Sequence, residues 1–240
     1  MPVILVKSIS EDLKSPEDDP YFKILSKEKI PVQILSSLDF KYNIDSIPLI
    51  NEENIIFTSP RALKAISSYK HLAEIVTKRC FVVGSRSFDE AKKLGFQPEG
   101  EDTGSSSKLA EYIIKNGVAG NFAFITGNPH KTTMKDALCC SGRTINEYEV
   151  YESSTRLDIQ QNLCKIIEMT KEISRVVLFS PTVAKEISDI LRLHRKSIII
   201  IAIGSATADE LKNVDIFVDS ICQSPTPSSL LDSIKTTFDL

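Results

Sequence analysis

Residues 55–66 read IIFTSPRALKAI and residues 176–187 read VVLFSPTVAKEI, the same succession of residue types 121 positions apart. Each opens on an apolar run short enough for a buried strand, passes through a hydroxyl residue and a proline, and continues with apolar residues at helical spacing. A Ser before a Pro starts a helix, because the hydroxyl accepts a backbone N–H and the proline sits where no donor is needed. Residues 82–94, VVGSRSFDEAKKL, and 202–214, AIGSATADELKNV, repeat through Gly84 and Gly204 at an offset of 120. A third match sets Lys108–Ile113 over Ser229–Ile234, again at 121. Three matches in one order at a near-constant offset predict two similar lobes.

The repeat also predicts how the lobes are cut. Apolar runs at Val3–Val6, Val32–Leu35, Ile55–Phe57, Phe81–Val83, Phe122–Ile125, Ile145–Val150, Val176–Phe179, Ile198–Ile203 and Ile216–Val218 read as strands alternating with helical segments, the pattern of parallel α/β sheets. Asp19, Ser59, Ser180 and Thr226, each followed by proline, read as helix starts, and Gly95, Gly117 and Gly142 as helix ends. After Ile113 the chain supplies a further strand, helix and strand, whereas the second copy stops after Ile234. The missing pieces stand at the beginning, in Val3–Leu35. The expected division is therefore a discontinuous α/β domain of 1–37 plus 154–240, an inserted α/β domain of 40–150, and linker strands at 38–39 and 151–153. A paired connection of this kind permits hinge motion, and a cleft beside it is the default ligand site.

Composition narrows the class. Hydrophobic residues at 42% and charged residues at 25% fit a globular chain, and 240 residues suit one large domain or two small ones. A net charge of −3 argues against a broad nucleic-acid footprint. The opening residues predict no secretory leader, and no apolar run approaches a membrane span. The five cysteines show no CxxC, and His71, His130 and His194 stand far apart without metal spacing, so no metal is expected.

Ligands of doubly wound sheets bind beyond the carboxyl ends of the strands, where helix N-termini point. Those ends carry Thr58, Ser59 and Arg61; Gly84 and Ser87; Gly127 and Asn128; Ser180; and Gly204 and Thr207. Hydroxyls, helix N–H groups and arginine suit an anionic ligand. Ser59 and Ser180 equally serve as helix caps. Residues 84–88, GSRSF, lack the G-x-G-x-x-G spacing, and no G-x-x-x-x-G-K-[ST] occurs, which disfavours a nucleotide enzyme.

From end to end the chain resembles uroporphyrinogen-III synthase, most closely the animal cytosolic form. The resemblance runs through the opening strand ending at Lys7, Asp19-Pro20-Tyr21, IIFTSPRAL from Ile55, VVG ending at Gly84, and EGEDTGSSSKLAEYI from Glu99. It continues with Gly127-Asn128, Glu149-Val150-Tyr151, LFSP from Leu178, AIGSATA from Ala202, and Gln223 to Pro227. It implies two α/β lobes joined by a two-stranded linker. It also implies a cofactor-free hydro-lyase of porphyrin and heme biosynthesis that cyclises hydroxymethylbilane, handed over by hydroxymethylbilane synthase, in a cytosolic monomer. Loss of the terminal hydroxyl leaves an azafulvene; ring D attacks through its substituted carbon to a spiro intermediate, which fragments and recloses with ring D inverted.

Tyr151 matches the tyrosine that the family offers as leaving-group acid; it reads alternatively as a packing tyrosine. Lys7, Thr58, Ser59, Arg61, Gly84, Ser87, Gly127, Asn128, Ser180, Gly204 and Thr207 match substrate-lining positions, though Lys7 also reads as a strand end in solvent. Arg86 and Phe88 depart from the small residues usual in their turn, and His130 stands where the animal form has a basic residue. A non-catalytic two-lobed protein that closes on a small anion is the alternative.

Overall fold

The computed structural model describes residues 1–9, 13, 15–170 and 172–237; the last three positions of the expected 154–240 segment lie outside them. Strands form at β1 (Val3–Lys7), β2 (Val32–Ser36), β3 (Leu38–Tyr42), β4 (Asn54–Phe57), β5 (Arg79–Val82) and β6 (Pro98–Glu99). They continue with β7 (Phe122–Asn128), β8 (Ile145–Thr155), β9 (Ser174–Leu178), β10 (Ile198–Ala202) and β11 (Ser220–Ile221). One sheet has the order β11-β10-β9-β1-β2 and the other β3-β8-β7-β4-β5-β6. Strands β4, β5 and β6 stand to β7 and β8 as β9, β10 and β11 stand to β1 and β2. Five strands of each sheet thus share one order, entered by the chain at different points, and β3 is an additional strand beside β8. The β1–β2, β1–β9, β9–β10, β10–β11, β4–β5, β4–β7, β5–β6 and β7–β8 pairs are parallel.

Parallel strands need cover on both faces, which is why they read as unbroken apolar runs. Along β4, Ile55 and Phe57 pack with Leu63, Ile66 and Val82 on one face, and Ile56 packs with Phe81, Leu109 and Phe124 on the other. In the other sheet Ile4 and Val6 join Val176, Leu178 and Ile200, while Val3 and Leu5 join Val177, Ile199 and Ile201.

The chain divides into two compact units, Met1–Asp39 with Ser154–Leu240, and Phe40–Ser153. Strands β3 and β8 carry it across both junctions. They run antiparallel, with Asn43 N donating to Val150 O at 3.0 Å and Arg156 N to Ser37 O at 3.1 Å. Arg156 also grips Asp39 at 2.9 Å and Asp158 at 3.0 Å.

All four X-Pro helix starts are present and capped. The Asp19 carboxylate and the Ser59, Ser180 and Thr226 hydroxyls each accept a backbone N–H from the first helical turn. The last strand differs from expectation. Residues Ile216–Val218 form no strand; the ladder is made by Ser220–Ile221. The reason lies in the preceding helix, Ser205–Lys212. Asp215 takes a left-handed φ of 56° and Ile216 N donates to Leu211 O at 3.0 Å, so this stretch closes the helix. Only from Asp219, whose N–H reaches Ile200 O at 2.8 Å, does the chain reach the sheet edge. Among the described residues no helix is long and apolar enough to cross a membrane.

Candidate functional site

In the unit Phe40–Ser153 a bulge organises the carboxyl ends of the strands. From Phe122 to Thr126, β7 pairs with Ile145 to Glu149 residue for residue; then the register slips, so that Gly127 faces Tyr151. Val150 is the extra residue and is buried. A bulge re-aims the side chain that follows it, and here it lays the Tyr151 ring over Gly127. A Cβ on Gly127 would meet ring carbon Cε1 at 2.7 Å, with Cζ and Cε2 nearer still. Glycine is required there by close approach.

The Tyr151 hydroxyl stands 3.5 Å from Ser59 Oγ. That is longer than the usual hydroxyl pair, and both groups are within reach of one ligand atom. Ser59 accepts from Arg61 N at 3.2 Å, which caps Pro60–Ile66. The rings of Phe40 and Tyr42, at 6.2 and 6.4 Å, meet the Tyr151 ring edge-on, and the Arg61 guanidinium lies 3.3 Å from the Phe40 ring centre. Tyr151, Ser59, Arg61 and Gly127 therefore form one constellation, and Thr58 precedes it on the same turn. Asn128 is exposed at the end of β7 and its carbonyl accepts from Ser153 Oγ at 3.4 Å.

Behind that constellation, His130 Nδ1 meets Gly127 O at 2.9 Å and Nε2 meets Glu147 Oε1 at 2.9 Å. Lys135 reaches the other Glu147 oxygen at 2.6 Å. Burial pushes the Glu147 carboxyl up, but its bonds to Lys135 and His130 and their charges prevail and hold it below the usual carboxylate range.

Gly84 and Gly204 stand at equivalent places as N-caps of the helices Ser85–Lys93 and Ser205–Lys212. Neither offers a side-chain acceptor, so the first N–H groups of these helices are not spent on a cap. These two N-termini suit an anion better than those behind Ser59 and Ser180. Ser87 and Thr207, in the same first turns, are 1% and 2% exposed. Their side chains pack inward, and the exposed residues of each turn are Ser85 and Arg86 in one and Ser205 and Ala206 in the other.

In the other unit, Lys7 does not end its strand in solvent. Its ammonium lies 2.5 Å from Asp19 Oδ2, 4.6 Å from the Tyr21 ring centre and 5.0 Å from that of Phe179. Asp19 is itself buried and caps Pro20–Lys27, so one carboxylate serves both tasks. Tyr21 donates to Pro225 O at 2.6 Å, and burial, then the Asp19 charge, push its phenol up. Ser180 accepts from Val183 N at 3.4 Å.

Sequence reasoning missed Phe40, Tyr42, Asp19 and Glu147 as parts of these arrangements. Leu38, Phe40 and Tyr42 alternate with Asp39 and Lys41, a period-two signal that marks a strand with an aromatic face. Glu147 left no local signal, because its partners lie 12 and 17 residues away.

The family model described as uroporphyrinogen-III synthase HemD matches residues 34–232. A uroporphyrinogen-III synthase of Schizosaccharomyces pombe is 24% identical over 196 residues, which is 80% of this chain and 75% of that protein. Among solved structures, uroporphyrinogen-III synthetase of Helicobacter pylori superposes with a TM-score of 0.68 at 16% identity, covering 98% of this chain and 99% of that one. A mutant uroporphyrinogen III synthase of Thermus thermophilus gives 0.57 at 10% identity, with 99% of each chain covered. At these identities the structures speak for the fold.

Proposed function

The chain belongs to the uroporphyrinogen-III synthase family, and from that premise we infer that it is the lyase that closes hydroxymethylbilane to uroporphyrinogen III with loss of water. The observation that carries the reading is a family match over 34–232 that includes Tyr151 and the strand ends around it.

The substrate is a flexible polycarboxylate whose pyrrole nitrogens supply the electron push. The protein's task is to hold it folded and assist departure of one hydroxyl, so positioning carries most of the acceleration. Tyr151 gives its phenolic proton to the leaving hydroxyl, which departs as water. The proton released when the closed ring regains its aromaticity balances the one given up. Phenols ordinarily stay protonated at neutral pH, so the donor is in its working form without tuning. Ser59 orients that phenol, and Arg61 pairs with a substrate carboxylate while Phe40 supports its guanidinium.

The N–H groups that follow Gly84 and Gly204 take further carboxylates, with Ser87 and Thr207 shaping those turns from inside. Thr58, Asn128 and Gly127 are further substrate contacts of the unit Phe40–Ser153, and Lys7 and Ser180 are further substrate contacts on their own unit. The protein works as a cytosolic monomer that receives its substrate from hydroxymethylbilane synthase.

Incubation with hydroxymethylbilane and resolution of the product isomers tests the reading. Unassisted closure gives the type I isomer, so enrichment in type III over a buffer control is expected. A product no richer in type III than that control would leave a non-catalytic anion-binding protein.

A further inference from the structure

The helix Ile159–Met169 carries Cys164 and Glu168 one turn apart, on neighbouring points of one side. His194, which closes the helix Ser188–Leu193, turns its ring to the same place. Cys164 Sγ lies 3.3 Å from Glu168 Oε1 and 3.4 Å from His194 Nε2, and the three ligand atoms all fall within 4.8 Å of one another. The two helices are held together beneath them by Leu163, Ile167 and Leu191 in the core. None of the three residues belongs to the strand ends described above.

We propose that Cys164, Glu168 and His194 form a binding site for one zinc-class divalent cation. Thiolate, imidazole and carboxylate are the donors zinc takes, with water in the fourth position. With Zn–S about 2.3 Å and Zn–N or Zn–O about 2.0–2.1 Å, the edges of a tetrahedral site are roughly 3.4–3.6 Å. The sulfur–nitrogen and sulfur–oxygen distances are already close to those edges. The third separation, between Glu168 and His194, is within 4.8 Å, and Glu168 is exposed and can swing to set it.

Without a cation the Cys164 thiol donates to Glu168, and a proton holds sulfur and carboxylate together. On binding, that proton leaves to solvent and the sulfur lone pair takes the metal. One thiolate and one carboxylate then neutralise the double charge. The thiolate disfavours magnesium and calcium, which prefer oxygen ligands throughout. The bound ion links residues 30 positions apart and so braces the helix Ile159–Met169 against the helix Ser188–Leu193.

Cobalt serves as the probe because its thiolate complexes absorb where zinc is silent. The reduced, metal-free full chain is titrated with cobalt, and the thiolate-to-metal charge-transfer absorption is followed. One equivalent should bind, and zinc should displace it. Cys164→Ser should lose the charge-transfer band. His194→Gln and Glu168→Gln should weaken binding by at least about tenfold, since loss even of an outer-shell partner costs that much. Cys139 and Cys140 are also exposed and are the competing thiols, so a Cys139→Ser/Cys140→Ser double variant is titrated in parallel and should bind as the parent does. Zinc should raise the melting temperature of the parent and the double variant and leave that of Cys164→Ser unchanged. A band that survives Cys164→Ser, a band lost in the double variant, or no band at large cobalt excess would each overturn the site; circular dichroism confirms that each variant is folded.

Discussion

The Tyr151 ring occupies the space in which a side chain at Gly127 would stand, and the one-residue bulge at Val150 puts it there. Two residues 24 positions apart thereby constrain each other. Gly127→Ala should push the ring away from Ser59, cost about 1–3 kcal/mol as an overpacked contact, and lower turnover at least as far as removal of the Tyr151 hydroxyl does. Chemical denaturation and rate measurement on the same preparation check this. A variant with parental stability and rate would mean that the ring does not lie over Gly127.

Tyr151→Phe keeps the ring against Gly127, Phe40 and Tyr42 and deletes only the hydroxyl. General acids are typically worth ~10²–10⁴ in rate. Pyrrole nitrogen already drives departure here, so kcat should fall toward the small end of that range while the product stays type III. A fast variant would make Tyr151 a packing residue. A slow one that releases mainly type I would mean that it holds the folded substrate.

Ser59 and Ser180 both cap helices, so Ala at either should cost roughly 0.5–2 kcal/mol of stability. Asp separates this role from ligand binding, because it caps as well as Ser but repels a carboxylate. Ser59→Asp and Ser180→Asp should therefore melt near the parent and raise KM well above the Ala variants. If Asp and Ala raise KM equally, the hydroxyls act only on the fold.

Glu147 is held below the ordinary carboxylate range, against the pull of burial, by Lys135 and His130. A depressed folded value adds stability that is complete above the unfolded value, about 4.3, and disappears as pH falls through the folded one. Glu147→Gln should be less stable than the parent at neutral pH, and the difference should close as pH falls from the unfolded value, about 4.3, through the lower folded one and the parent carboxylate protonates. Urea midpoints followed by circular dichroism across that range supply the comparison; a gap that persists in acid would show that charge is not its origin.

Much of the fold was legible because its signals are local. A cap such as Ser59 on Arg61 N, or the Asp19 carboxylate on Tyr21 N, is settled within three residues, and the four proline-marked starts all stand where the chain is read to begin a helix. The repeat likewise called for two similar α/β sheets, and five strands of each share one order. A one-residue difference shows where local reading stops. Gly95 and Asp215 hold equivalent places, both with positive φ, yet only the glycine announces a helix end. The apolar stretch after Asp215 consequently reads as a strand in sequence alone.

The sequence by itself determined the α/β class, the two-fold repeat and the chemical character of the strand ends, because periodicity, capping and residue type act over a few positions of chain. Only the tertiary structure decided which of those residues meet. The register slip between β7 and β8 puts Tyr151 over Gly127, and the approach of β1 to Pro20–Lys27 pairs Lys7 with Asp19. Ser87 and Thr207 face inward because the sheet packs beneath their helices. Those outcomes depend on how separate segments align and what they bury, and no window of a few residues contains that information.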